Sequence, residues 1–358
     1  MAELLSATPA SAFARLRDVE FARLDAAGHT YLDFTGGGLY PASLIEAQRA
    51  RLLGGVFGNP HSDSGASRRS TDAIKGARAR VLAFFDADPS EYEVVFTSNA
   101  SGAMRLVGSA FPWRAGSAFV LSADDHNSVN GIREYARRAG ADVRYVGLSE
   151  ELRPHDPRPA LRPASEPSLF AFPAQSNFSG VQHPLELVAM AQARGYRVLL
   201  DAASYAPAHP LSLDAVGADF VALSFYKMFG YPTGLGALIA RREAFAELEP
   251  RWFAGGTVDF VSVQNDMHRL SAGPAAVEEG TVDFLGIPAA AAGLDFLDAI
   301  GMRAIEAHVA ALTAYALDRF ATLRERVVVY GPRDAAARGG TIAFNLLDGR
   351  GGAVPHEL

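Results

Sequence analysis

Between about residue 70 and residue 240, short runs rich in β-branched and aromatic residues alternate with stretches of helical periodicity. This alternation is typical of a mainly parallel sheet covered by helices. Seven runs predict strands, at residues 93–97, 117–122, 142–148, 168–174, 197–202, 220–225 and 236–241. Helices are predicted between them, for example over 127–140 and 185–195. The sequence therefore predicts an α/β fold.

Two segments depart from this rhythm. Residues 153–167 are rich in proline and arginine and predict an exposed connection between two strands. After residue 284 the sequence becomes alanine-rich and helical, and two more strand-like runs follow. We therefore expect a large domain over residues 36–283 and a smaller α+β domain formed by residues 1–35 and 284–358.

Composition narrows the function classes. The 358 residues are 49% hydrophobic and 20% charged, as expected for a soluble globular protein with a full core. The net charge of −7 is modest and both signs are interspersed, which argues against a nucleic-acid or membrane partner. The amino-terminal residues lack the continuous apolar core of a signal peptide, so we expect a cytoplasmic protein that acts on a small molecule.

The sequence contains no cysteine. Within these residues this rules out disulfides, thiolate metal sites and a cysteine nucleophile. No group of histidines and carboxylates has the spacing of metal ligands, so we predict no metal site.

Two ionisable residues lie at predicted strand ends. Lys227 follows the apolar run 220–225 and precedes a glycine-rich stretch. A lysine in such a place either extends its ammonium to water or reacts, because an apolar wall cannot replace lost hydration. Asp201 lies at the carboxyl end of the run 197–202, at the sheet edge where open parallel sheets bind ligands. Its carboxylate could hold a cationic ring nitrogen, or it could cap a helix.

Three further residues follow strands. Ser101, in "TSNASG", begins a helix and could bind a phosphate, although a helix cap is the common role of such a serine. His126 and Asn177, taken alone, indicate a structural histidine and a turn. Together, however, five strand ends supply a phosphate site, a ring, an amide, a carboxylate and an amine. These are the groups that pyridoxal phosphate (PLP) requires.

The segments "FTSNASGAMRLVG", "DDHNSVNGIREYA", "LLDAASYAP" and "SFYKMFGYPTGLG" resemble the class V aminotransferase family, which includes the cysteine desulfurases. The resemblance covers about residues 30–358 and is strongest to the desulfurase-like domain of molybdenum cofactor sulfurases. It implies the type I fold of PLP-dependent transferases, with a mainly parallel seven-stranded sheet and a small α+β domain. Tyr226 stands where most desulfurases have histidine.

The resemblance also implies roles for individual residues. Lys227 would form the Schiff base, Asp201 would hold the pyridine nitrogen and His126 would stack on the ring. Tyr226 would lie beside the lysine. Thr281 matches a threonine that reaches the phosphate of a neighbouring subunit, which implies a homodimer with shared active sites.

Other implied contacts complete the cofactor site. Ala203 would pack on the second face of the ring, and Asn177 would lie near the ring hydroxyl. Ser204 stands where relatives often have glutamine or histidine. The residues that would hold the phosphate are Ala100, Ser101 and Ser224.

One departure from the family leaves the function open. Cysteine desulfurases transfer sulfur to a cysteine of the small domain, and these residues contain none. The sulfurase pattern continues after a segment like the one that ends at Leu358, so we expect the small domain to be incomplete here. The alternatives are a desulfurase with its catalytic loop elsewhere and a sulfur acceptor as partner, a cysteine-free aminotransferase or carbon–sulfur lyase, and a non-catalytic scaffold. Lys227 and Asp201 argue against the scaffold.

Overall fold

A computed structural model of the chain describes residues 9–355. The ends of the predicted small domain, residues 1–8 and 356–358, lie outside the described residues. Seven strands form the main sheet: β1 (Tyr92–Thr97), β2 (Ala118–Ser122), β3 (Asp142–Val146), β4 (Ser168–Pro173), β5 (Tyr196–Asp201), β6 (Phe220–Ser224) and β7 (Gly236–Arg241). All seven predicted strands are confirmed, most of them one or two residues shorter than predicted.

The order of the strands across the sheet is β1-β7-β6-β5-β4-β2-β3. Strand β7 runs antiparallel to both of its neighbours, β1 and β6. The other neighbouring pairs are parallel. The carboxyl ends of β1, β2, β4, β5 and β6 therefore share one edge, and the predicted mainly parallel sheet is confirmed.

The helices follow in chain order: α1 (Pro9–Glu20), α2 (Ala22–Ala26), α3 (Ala42–Gly54), α4 (Gly65–Phe84), α5 (Ala100–Ala110), α6 (Asn127–Asn130), α7 (Arg133–Arg138), α8 (Leu187–Gln192), α9 (Leu213–Val216), α10 (Phe225–Phe229), α11 (Arg242–Ala246), α12 (Ile287–Ile300) and α13 (Met302–Thr322). The helix predicted over 127–140 is interrupted at Gly131, where α6 ends. The predicted connection over 153–167 contains no helix or strand.

Both faces of the sheet are buried, as a parallel sheet covered by helices requires. Successive side chains of β1 point to opposite faces: Val94 packs with α4 and α12, whereas Val95 packs with α5. The strands consequently read as continuous apolar runs rather than as alternating ones.

Two small antiparallel sheets lie apart from the main one. They are β8 (Val258–Ser262) with β9 (Met267–Leu270), and β10 (Val327–Val329) with β11 (Phe344–Leu346). The β8–β9 hairpin was not predicted from the sequence. Among the described residues no helix has the length and apolar character to cross a lipid bilayer.

A buried arginine joins the β10–β11 region to the main sheet. The Arg338 guanidinium donates to the carbonyls of Ser179 (2.5 Å) and Thr341 (2.8 Å). The Gly339 amide donates to the Gly180 carbonyl at 2.8 Å. The segment after β10 is therefore held against the loop that contains Asn177. The predicted domain boundaries stay a prediction.

Candidate active site

Lys227 and Asp201 lie near each other at the carboxyl edge of the sheet. Lys227 is half-buried in α10, directly after β6, and Asp201 is the last residue of the adjacent strand β5. Burial lowers the pKa of Lys227, and the negative field of Asp201 opposes this effect. Burial likewise raises the pKa of Asp201, opposed by the Ala203 amide, Lys227 and His126. The three side chains thus share one electrostatic environment, and the roles predicted for them stay predictions.

Asp201 keeps hydrogen-bonding capacity for a ligand. Its Oδ1 accepts the amide of Ala203 at 3.0 Å, and among the described residues no other hydrogen bond to the carboxylate is found. A cationic donor next to Asp201 would favour its ionised form and offset the cost of burial. This is the environment that a protonated ring nitrogen needs.

The start of α5 and the end of β6 bring together groups that could bind an anion, and we call this region the anion pocket. The Asn99 side chain caps the helix by accepting the Gly102 amide at 2.9 Å. The Ala100 amide donates to the Ser224 hydroxyl oxygen at 2.9 Å, which joins the helix to the end of β6. Ser101 is exposed at the first turn, where the helix dipole favours negative charge. The predicted phosphate-binding residues are therefore brought together.

A chain of hydrogen bonds connects this pocket to His126. The hydroxyls of Ser101 and Ser128 are 2.6 Å apart, and the Ser128 hydroxyl is 2.9 Å from His126 Nδ1. The same ring nitrogen accepts the Ser128 amide at 3.1 Å, so the imidazole caps α6. Hydrogen bonds from Ser128, which lies next to the anion pocket, thus fix the orientation of the His126 ring.

Glycines of the segment "TGGGLY" pack directly on α10. The Gly38 amide donates to the Tyr226 carbonyl at 2.9 Å. A Cβ at Gly38 would lie 2.9 Å from the Lys227 carbonyl oxygen, and a Cβ at Gly37 would lie 3.3 Å from the Tyr226 ring. Both glycines permit this close approach, so residues 35–40 form one wall beside the lysine.

The remaining predicted residues lie around this centre. Asn177 is half-buried in the loop after β4. The Ser204 carbonyl accepts from Gln175 Nε2 at 3.0 Å, which joins that loop to the segment after β5. Thr281 is exposed and its hydroxyl accepts from Asn59 Nδ2 at 3.2 Å. The roles predicted for these residues stay predictions.

Sequence reasoning missed a group of buried ionisable residues beside the site. Asp125 is buried, and its Oδ2 accepts the Ser122 amide at 2.8 Å. Its pKa is raised well above the ordinary value by burial and by the fields of Asp124 and Asp201. Asp124 pairs with the buried His183. The tripeptide "DDH" at a strand end was the available signal.

These donors and acceptors fit a ligand with an anionic end, a cationic ring nitrogen and a carbonyl that reacts with an amine. Within residues 9–355 no group of three or more histidines and carboxylates could hold a metal ion.

Comparison with known proteins identifies the family. The sequence model of the Aminotransferase class-V family matches residues 30–358. The chain belongs to this family. Among class-V relatives, the molybdenum cofactor sulfurases of Oryza sativa subsp. japonica and Bos taurus are 35% and 36% identical, over 92% and 96% of this chain. The matched regions are 46% and 42% of those proteins, so the chain spans less than half of their length.

Solved structures agree with this membership. A cysteine desulfurase from Thermococcus onnurineus NA1, in its apo form, superposes with a TM-score of 0.83 and 27% identity over 93% of this chain and 82% of that one. A mutant of C-DES with glycine linked to its PLP cofactor gives a TM-score of 0.76 at 20% identity, over 92% of this chain and 86% of that one. The second likeness concerns the fold alone. The predicted type I fold is thereby confirmed.

Proposed function

We propose that this chain is the PLP-dependent catalytic unit of a cysteine desulfurase-like enzyme that acts on an amino acid. The observation that carries the proposal is that Lys227 and Asp201 lie near each other at the carboxyl edge of the sheet, beside the anion pocket at the start of α5. A lysine of lowered pKa next to a buried carboxylate is costly for stability, and a Schiff-base site uses both groups.

The residues present fit the cofactor. Lys227 would form the Schiff base, and Asp201 would hold the ring nitrogen. The start of α5, with Ala100, Ser101 and the Ser224 hydroxyl, would hold the phosphate. The ring contacts would come from His126, Asn177, Ala203 and Ser204, with Tyr226 beside the lysine. When bound, PLP supplies a reactive aldehyde carbon and an electron-withdrawing ring.

The protein's own contribution is to prepare the reacting groups. Burial lowers the pKa of Lys227, so a larger fraction of the amine is neutral and able to act as a nucleophile. Once Lys227 Nζ is free of the Schiff base, it can also accept a proton and return that proton to the substrate carbon. Asp201 and His126 would hold the ring near this amine.

The substrate class follows from the relatives. A molybdenum cofactor sulfurase at 36% identity and a cysteine desulfurase of the same fold both indicate sulfur chemistry, with L-cysteine as the first substrate to test. A desulfurase converts cysteine into alanine and passes the sulfur to a thiol. Because the 358 residues contain no cysteine, that thiol would be supplied from outside them.

The absence of cysteine from these residues also favours a second candidate, a carbon–sulfur lyase. Such an enzyme needs no protein thiol, because cysteine and water yield pyruvate, ammonia and hydrogen sulfide. Product analysis separates the two functions. With L-cysteine and dithiothreitol as thiol acceptor, a desulfurase yields alanine, whereas a lyase yields pyruvate.

The cofactor itself is tested by absorption between about 300 and 500 nm, before and after borohydride. We expect a Schiff-base band that borohydride abolishes, present in the wild type and absent from Lys227→Ala. The matched control is Lys75→Arg, because Lys75 is exposed on α4 and is the second of the two lysines in the sequence. A wild type that remains colourless with added PLP contradicts the proposal.

We also propose a homodimer in which Thr281 of one subunit contributes to the site of the other. Its support is an exposed apolar surface near the β8–β9 hairpin, where Trp252 is 63% and Val263 is 87% exposed. Sedimentation velocity should show a dimer that Val263→Asp weakens by at least about tenfold. Val328→Asp, at a less exposed valine in β10, should leave it intact. A monomeric wild type contradicts this assembly.

A further inference from the structure

A histidine–carboxylate pair that the proposed chemistry does not use lies beneath the site. His183 Nε2 and Asp124 Oδ2 are 2.9 Å apart, and their side chains are 0% and 8% exposed. Neither residue belongs to the set expected to contact the cofactor. Such a pair needs a physical reason, because burying ionisable groups costs free energy.

The pair connects the ends of two neighbouring strands. Asp124 lies in the turn after β2, where its Oδ1 accepts the Ser122 hydroxyl at 2.6 Å. His183 closes the loop after β4, where its amide donates to the Ala174 carbonyl at 3.0 Å. The His183 ring, from the same loop, lies against the other carboxylate oxygen, Asp124 Oδ2, at 2.9 Å. One carboxylate thus gathers donors from both strand ends.

Each of these two turns carries one expected ring contact. His126 comes two residues after Asp124, and Asn177 directly follows Ser176. The distance between the two ring contacts is therefore set by how firmly the turn after β2 is attached to the loop after β4. Among the described residues, the His183–Asp124 contact is a direct side-chain link between them.

We propose that His183 and Asp124 form a positioning pair that fixes the spacing between His126 and Asn177, and so the orientation of the cofactor ring. The inference rests on the proposed function for the identity of the ring. The pair itself contacts neither cofactor nor substrate. Its effect is transmitted through the two turns.

The ionisation of Asp124 supports the proposed positioning role of the pair. Burial opposes a charge on Asp124, but the hydrogen bonds and field of His183, with Ser122 and Ser176, outweigh it and lower the pKa of Asp124. Removing the imidazole would leave a buried carboxylate without its main donor. The turn after β2 would then shift toward water, and His126 would move with it.

The chain offers a matched control. His209 is also buried and also pairs with a carboxylate, with 3.0 Å between its Nδ1 and Glu306 Oε1. This second pair joins the segment after β5 to α13. His209 Nε2 also lies 2.9 Å from Gln182 Nε2 in the loop after β4, so His209→Leu serves as a control for residues 122–126 and not for residues 174–183.

The first test is amide hydrogen exchange of the full chain without added PLP, on wild type, His183→Leu, His183→Gln and His209→Leu. Residues 122–126 and 174–183 should both exchange faster in His183→Leu, by about tenfold. His183→Gln should restore protection, because its amide can donate where Nε2 does. His209→Leu should leave residues 122–126 unchanged. Faster exchange confined to 174–183 in His183→Leu overturns the coupling.

The second test is circular dichroism of the cofactor band after loading with PLP, which reports how firmly the ring is held. His183→Leu should keep the Schiff base, because Lys227 is intact, but it should lose most of the dichroic signal. Its kcat should fall about 10²-fold with little change in KM. His183→Gln should recover both. A full signal in His183→Leu overturns the inference. No band in the wild type overturns the proposed function instead, while the exchange experiment still decides the coupling.

Discussion

A buried aspartate lies at each end of the main sheet, and the two differ in the hydrogen bonds that their carboxylates accept. At the amino end, Asp219 precedes β6 and accepts from the Val198 amide (2.8 Å), Gln192 Nε2 (3.1 Å) and Arg197 Nη1 (3.0 Å). At the carboxyl end, Asp201 ends β5 and accepts the Ala203 amide. The first aspartate is satisfied within the protein, whereas the second keeps capacity for a ligand.

The charges around these aspartates differ in the same way. Arg197 also pairs with Glu243 and Glu247, and these hydrogen bonds raise its pKa. At the carboxyl end, Lys227 has a lowered pKa and forms no salt bridge with Asp201 within the described part of the chain. The charged groups at the amino end therefore stabilise the fold. Those at the carboxyl end cost stability and form a site that a ligand completes.

Asp201→Asn should lower the activity of the enzyme far more than the matching substitution at the amino end. The amide cannot stabilise a cationic ring nitrogen, so we expect kcat with L-cysteine to fall about 10²–10³-fold while the Schiff-base band remains. Asp219→Asn, at the amino end, should leave kcat of the folded protein within about threefold. Steady-state kinetics on both variants checks this. Equal losses in both would show that burial alone, not position at the carboxyl edge, decides the effect.

Gly236→Ala should disturb the carboxyl end of the sheet, because the added methyl group would clash with neighbouring atoms. A Cβ there would lie 2.6 Å from Asn99 Cα, at the residue that caps α5. We expect the free energy of unfolding in urea to fall by about 1–3 kcal/mol and PLP binding to weaken. Gly76→Ala in α4 meets no atom within 4 Å and should raise stability by about 0.5–1 kcal/mol. A Gly236→Ala protein as stable as the wild type would contradict the close packing.

The stability of the cofactor-free protein should separate the two aspartates. Asp219→Asn removes the partner of Arg197, which is itself 24% exposed, and should lower the free energy of unfolding at pH 7 by about 1–3 kcal/mol. Asp201→Asn removes a poorly compensated buried charge and should not lower it. Urea titrations of both variants measure the difference, and an Asp201→Asn protein less stable than Asp219→Asn would reverse the comparison.

The pH dependence should show the smallest effect. Burial raises the folded-state pKa of Asp125 and of Asp201 above the ordinary 3.8. Their contribution to stability is therefore complete below the unfolded pKa and is lost as pH rises through the folded pKa. Asp125→Asn should flatten this decline and raise the free energy of unfolding at pH 7 by on the order of 1 kcal/mol. A steeper decline in the variant would contradict a raised pKa of Asp125 in the folded state.

The strands and the principal charged pair could be predicted from the sequence because each rests on local information. Apolar runs indicate buried strands, and Asp201 and Lys227 lie at or just beyond the carboxyl ends of such runs. Their meeting then follows from the parallel arrangement, since the carboxyl ends of parallel strands share one edge. The resemblance to the family added Ala100, Ser224 and Thr281, which local patterns do not distinguish from ordinary helix and turn residues.

The rest depends on tertiary contacts. His183 lies in a loop with no chemical motif, and its partner Asp124 is 59 residues away in the chain. The helix predicted over 127–140 is divided into α6, which ends at Asn130, and α7, which begins at Arg133. The role of Gly38 appears only when the backbone of α10 lies against it. Sequence patterns carry no signal for such pairings.

Lys227 is the residue that we propose to bind the cofactor covalently. The sequence makes this testable at one residue, because it contains two lysines, Lys75 and Lys227. The decisive measurement is peptide mapping by mass spectrometry of PLP-loaded protein after borohydride reduction and proteolysis. The account predicts the pyridoxyl group on the peptide that contains Lys227, at close to one per chain. Labelling of Lys75 alone, or no labelled lysine, would contradict it.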